Sequence, residues 1–199
     1  MKVLVVSEGK HEQAGALQSL LRRLSGDQAI FAFDRVSSSS IHAFHGKGGG
    51  CFKRALRWLL EAEKRGLDAL VLLIDQDGQN DRSEQIRDAQ DSSLSQLPRA
   101  MGVAVRTFDA WMLADEAALA DVLGCPVARQ AEPETIRDPK QVCAGLLMNS
   151  RNQMAQSQMY ARIAQRFDIA VLGSRCPSGF RPFAERVSRV FGHGPRMKK

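Results

Sequence analysis

The stretch VLLIDQDGQND, residues 71–81, runs four apolar residues into Asp75-Gln76-Asp77-Gly78, with Asp81 following. A short apolar run bounded by Asp and Gly reads as a buried strand that ends in a turn. The run begins at Asp68-Ala69 after Gly66, so the strand spans about 68–75. Two carboxylates set two apart at its end raise the question of what neutralises them. Along extended backbone they would fall on one side, and Gly78 would let the chain turn away.

The same punctuation recurs on either side. KVLVVS (2–7) is a β-branched-rich strand, and Leu17, Leu20, Leu21 and Leu24 recur at helical spacing up to Gly26. AIFAFDRV (29–36) alternates as a second strand, and SSSSIHAFHGKGGG is a loop. CFKRALRWLLEAEKRG (51–66) is an amphipathic helix, and a polar loop after Gly78 leads into another. GVAVRTFD (102–109) is a fourth strand, and AWMLADEAALADVLG is a single helix. Alternating strands and helices predict an α/β fold with a largely parallel four-stranded sheet flanked by helices over residues 1–123. Residues 124–139 read as a loop. Three helices, in PKQVCAGLLMNS, QMAQSQMYARIAQRF and FRPFAERVSRVFG, make 124–199 a helical region packed on that core.

Open α/β sheets place their sites at the carboxyl ends of strands. Strand one ends in Ser7-Glu8-Gly9-Lys10, strand three in Asp75-Gln76-Asp77, strand four in Asp109. Carboxylates gathered from three strand ends repel one another unless a cation neutralises them. Hard oxygen donors suit Mg²⁺ or Mn²⁺ and not zinc. Each residue also has an ordinary reading. Asp and Gly form turns, Glu8 suits a helix start, Asp109 suits an N-cap, and Glu12 and Asp115 suit solvated surface.

The order of the motifs separates known acidic α/β sites. A phosphatase of the haloacid dehalogenase type carries its D-x-D after strand one, and a receiver domain needs an acidic pair there. Here strand one gives Glu8-Gly9 and strand three gives Asp75-Gln76-Asp77, an order that resembles the TOPRIM domain. VSEGKHE, LIDQDG, FDAWMLAD, DPK and CPSGFRPFAERV together resemble a compact bacterial TOPRIM-like family of unknown function, similar to the OLD-type and small-RNA-maturing nucleases. Members often lie beside ATPases in phage-defence loci. The family pattern is V-E-G-x-T-E and E-x-W-L-x-A-D. This chain has Ser7 before Glu8, and Asp109 where Glu is usual.

The resemblance implies a divalent-metal-dependent nuclease cutting DNA or RNA, with Glu8, Asp75, Asp77 and Asp109 as catalytic and metal-holding residues. Glu8 would serve as ligand or general base. Its alternative is a non-catalytic or partner-dependent regulator of an associated ATPase. Lys47, Lys140, Arg175 and Arg181 are candidate phosphate contacts beside the ordinary readings of loop, helix start and capping turn. Trp111 and Tyr160 read as helical packing.

Charge is divided unevenly. Residues 1–150 hold 18 Lys+Arg against 20 Asp+Glu, a net of −2; residues 151–199 hold 10 against 2, a net of +8. A basic end fits nucleic acid through counterion release, and equally a solvated helix face. HGKGGG lacks the spacing of an ATPase P-loop. Cys51, Cys125, Cys143 and Cys176, like the four histidines, show no ligand spacing. No run reaches the roughly 20 apolar residues of a membrane helix, and no signal-peptide pattern opens the chain. The expected location is the cytoplasm.

Overall fold

The computed structural model describes residues 1–9, 12–26, 29–38 and 48–192. Strands β1 (Lys2–Ser7), β2 (Ile30–Arg35), β3 (Ala69–Asp75) and β4 (Arg99–Ala104) form one parallel sheet in the order β2-β1-β3-β4. β1 and β3 are central, paired from Val3↔Ala69 to Ser7↔Leu73, and their apolar runs are buried throughout. Alternation along each strand divides those runs between two cores. Val3, Val5, Val71 and Leu73 face one layer; Leu4, Val6, Leu70, Leu72 and Ile74 face the other.

The second layer is built by α2 (Gly50–Lys64) and α3 (Arg82–Gln90), with Trp58 its largest side chain. The first layer holds α1 (Leu17–Ser25), which follows a π-helical turn over Glu12–Ala16, and everything after β4. Those later helices are α4 (Phe108–Met112), α5 (Glu116–Leu123), α6 (Pro139–Met148), α7 (Gln156–Arg166), α8 (Ile169–Arg175) and α9 (Phe180–Val190). Trp111 is fully buried among Phe108, Phe180 and Phe183, with ring centroids 5.5, 5.3 and 5.7 Å away. α9 lies against β4 so closely that a Cβ on Gly102 would stand 2.5 Å from Phe183 Cδ2. All four cysteines are free. Among the described residues, no helix is long and apolar enough to cross a membrane.

Several boundaries differ from those expected. β4 spans Arg99–Ala104 rather than 102–109, because Arg106 takes a left-handed backbone (φ 63°) and Thr107 then N-caps α4. The helix expected over 110–124 is two helices. Asp115 Oδ1 accepts from the Ala117 and Ala118 N–H groups, both at 3.1 Å, and so restarts the chain as α5. The loop 124–139 contains a 3₁₀ turn, Pro133–Thr135. Among the described residues, the C-terminal region has four α-helices, not three. Asp168 caps α8, whose seven residues are too few to show a helical period.

Candidate functional site

β1 and β3 are neighbours, but the chain leaves β1 for β2 on one side and β3 for β4 on the other. Loops departing in opposite directions open a crevice beyond the carboxyl ends of these strands. Glu8 follows the last residue of β1, and Asp75 is the last residue of β3. Glu8 Oε2 accepts from the Asp75 N–H at 3.0 Å and lies 3.4 Å from Arg82 Nη1, while Glu8 Oε1 is 3.5 Å from Arg54. Arg82 also donates to the Asp75 carbonyl at 2.6 Å. Glu8 thus ties the two strand ends together, with a guanidinium on each of its oxygens.

Asp75 Oδ1 accepts from the Phe108 N–H at 2.8 Å, which joins β3 to the start of α4. Burial pushes the Asp75 carboxyl up to about 7; Glu8 and Asp109 push the same way, and the Phe108 N–H and Lys140 oppose them. Glu12, the first residue of the π turn, is only 4 % exposed. Burial first, then Asp75 and to a lesser degree Asp109, push it up to about 8 against the Gly9 N–H, 3.2 Å away. The Ser7 hydroxyl lies close enough to favour the charged form of Glu12, yet its Oγ is buried without an aligned hydrogen-bond partner.

Glu12, expected as a solvated helix residue, is buried, with Asp75 the carboxylate that acts on it most. The available signal was its spacing from Gly9. A Cβ at Gly9 would stand 2.3 Å from Glu12 Oε1, so a side chain there would collide with the carboxyl. π turns also recur at functional sites.

Asp109 is buried as the second residue of α4 rather than its N-cap. Its Oδ2 accepts from Thr107 Oγ1 at 2.9 Å, its Oδ1 accepts from the Tyr160 hydroxyl, and its carbonyl faces Cys143 Sγ at 3.6 Å. Tyr160 packs as expected and also holds Asp109, while Gln156 Nε2 donates to the Tyr160 oxygen at 2.7 Å. Burial pushes the Cys143 thiol up to about 12 and raises Tyr160 strongly.

Asp77 lies elsewhere. Its backbone is left-handed (φ 50°) and its N–H donates to the Arg106 carbonyl at 3.0 Å, so extended alternation stops at Asp75. The extended alternation expected to put both carboxylates on one side does not reach Asp77, which is exposed.

Of the candidate phosphate contacts, Lys140 is exposed in the first turn of α6, near enough to lower the Asp75 pKa. Arg175 is engaged by the Glu116 carboxylate and the Ala114 carbonyl, and holds Glu116 down at about 2. Arg181 Nε donates to the Gly173 carbonyl at 3.0 Å. Lys47 and the four histidines lie outside the described residues. Asp115, expected at the surface, is buried, and its Oδ2 accepts the Asp168 N–H at 2.8 Å.

Glu8, Glu12, Asp75 and Asp109 offer hard oxygen donors. Two carboxyls held near neutrality and the unpartnered Ser7 Oγ are chemistry that suits a hard divalent cation. Among the described residues, no three acidic, His or Cys side chains already gather around one point. Glu8 and Asp109 are turned to the partners described above. Neither a curated protein nor a solved structure matches the chain. A family model matches residues 7–188, nearly the whole chain, and the protein therefore belongs to the family described as "Domain of unknown function (DUF4276)".

Proposed function

We propose that this crevice serves divalent-metal-dependent hydrolysis of phosphodiester bonds in DNA or RNA, on a TOPRIM-like arrangement of the sheet. The observation that carries the reading is the pair Glu12 and Asp75. Both are pushed up toward neutrality at the switch point between β1 and β3. Burying two carboxyls this close is unfavourable without a compensating cation. Glu12 and Asp75 would hold Mg²⁺ or Mn²⁺, with the Asp109 charge beside them, and the ion would supply Lewis-acid stabilisation of charge on the phosphoryl oxygens. Glu8 stands at the rim, its side chain 24 % exposed, where it can take the proton of an attacking water. Arg54 and Arg82 keep its carboxylate oriented, and Lys140 adds positive charge on the Asp75 side.

The test is incubation of labelled DNA and RNA with the wild type and with Asp75→Asn, in Mn²⁺ and in chelator. The substitution keeps an oxygen for the Phe108 N–H and removes the charge. Cleavage should fall to the chelator baseline in the variant; equal rates in both proteins would refute the reading.

A second reading has its own observation. The two guanidiniums on Glu8 already neutralise that acid, as they would in a site kept inactive until a partner displaces them. On that reading the protein regulates an associated ATPase, as in a phage-defence setting. Cleavage by the purified protein alone distinguishes the two.

A further inference from the structure

Beside the acidic crevice lies a cleft of about 480 Å³, lined by Glu8, by Val36, Ser37 and Ser38 after β2, and by Arg54 and Arg57 of α2. Arg54 and Arg57 are three residues apart, so they share one face of the helix. Arg57 is anchored: its Nη2 donates to the Val36 and Ser38 carbonyls, both at 3.2 Å, and its guanidinium lies 5.9 Å from the Trp58 ring centroid. Its Nε is fully buried without an acceptor. Charge on this side of the site is also unbalanced. Arg54 and Arg82 both pair with Glu8 and Arg57 lines the same cleft, while among the described residues Asp34 is paired with Arg65 at 3.2 Å and Asp81 is the other acid on this side.

We propose that this cleft binds a phosphate of a nucleic-acid strand adjoining the bond to be cut. The phosphate accepts from Arg54 and from the part of the Arg57 guanidinium that lines the cleft, in the forked geometry that guanidiniums offer to phosphate oxygens. The strand then passes Glu8, and Arg54 exchanges one oxygen partner for another. The lining favours a strand over a free nucleotide. A mononucleotide needs an apolar or aromatic wall for its base. Among the described residues, Val36 is the only apolar one lining the cleft, and Trp58 is fully buried beneath Arg57. A backbone phosphate needs only the cations. The identity of the strand rests on the hydrolysis reading; the anion site does not.

The experiment is fluorescence anisotropy of a short labelled single-stranded oligonucleotide in chelator, with the wild type, Arg57→Gln and Arg54→Gln. Binding should weaken by about tenfold in each variant, as loss of a charge-assisted contact implies. The slope of log affinity against log salt should shrink by about 0.7 per arginine. A merely structural arginine would not change that slope. Arg54 is exposed and its variant tests the site even if Arg57→Gln perturbs folding. Unchanged affinity and slope in Arg54→Gln, or no binding by the wild type, would overturn the proposal. So would displacement of the oligonucleotide by AMP at equal phosphate concentration. Weakened binding in the variants without any Mn²⁺-dependent cleavage would support the phosphate site and refute the hydrolysis reading.

Discussion

Replacing Glu12 with glutamine should make the protein more stable at alkaline pH and leave it unchanged in acid. The Glu12 carboxyl is pushed from 4.5 to about 8 by its burial and by Asp75. Between those two values the folded chain keeps a proton that the unfolded chain has released. Stability is therefore fully present below about pH 4.5 and is lost as pH rises through about 8. At 1.36 kcal/mol per pH unit, the loss reaches at most about 5 kcal/mol. Asp75 rises to about 7 in the same field, so protonating one carboxyl relieves the other and the two effects do not add. The expected gain for Glu12→Gln is about 2–5 kcal/mol near pH 9, shrinking to nothing near pH 4. The glutamine oxygen can still accept the Gly9 N–H, so the fold is undisturbed. Urea denaturation across pH, with an unchanged m value, is the assay. Saturating Mg²⁺ should stabilise the wild type more in alkali than in acid, where protons compete for the same oxygens. Parallel pH profiles for wild type and Glu12→Gln would refute the placement of Glu12 as a buried, destabilised carboxyl.

Two further substitutions test the surroundings of the site. Tyr160→Phe removes one of the two hydroxyls that satisfy the buried Asp109 carboxylate and should cost about 1–3 kcal/mol in urea denaturation. A loss under about 0.5 kcal/mol would mean that the contact is idle. Gly102→Ala drives a methyl into Phe183 and should cost about 1–3 kcal/mol. Adding Phe183→Leu should return part of it, and an additive double variant would show that α9 does not press on β4 there.

The sheet was legible because its central strands are uninterrupted apolar runs ended by Asp or Gly. The run at 69–74 has no helical period to confuse it. β4 was placed three residues late because RAMGVA is weakly β-forming, and only its pairing with β3 marks it as a strand. The approach of Glu8 to Asp75 follows from topology, since parallel neighbours bring their carboxyl ends to one edge; Asp109 lies beyond the end of β4, in α4. Glu12 was not legible by periodicity. A polar residue between a strand and an amphipathic helix looks solvated until the π turn is known to aim it inward. The direction of Asp77 was equally hidden, since a left-handed aspartate before glycine and an extended one share the same letters.

The acids themselves divide by how they are satisfied. Glu12, Asp109, Asp115 and Glu134 are the buried carboxylates among the described residues. Asp109 has two hydroxyls, Asp115 has three backbone N–H groups, and Glu134 accepts the Ser178 and Gly179 N–H groups at 2.9 and 2.7 Å beside the start of α9. These three are held chiefly by the helices after β4 and the turns between them. Glu12 is different. One N–H and one misaligned hydroxyl face a fully buried carboxyl, with the half-buried Asp75 beside it. A fold that satisfies three buried acids with neutral donors had the means to satisfy the fourth. Glu12 and Asp75 are instead pushed up toward neutrality by burial and by neighbouring carboxylates. That is the physical reason to seek the cation, and the chemistry, between β1 and β3.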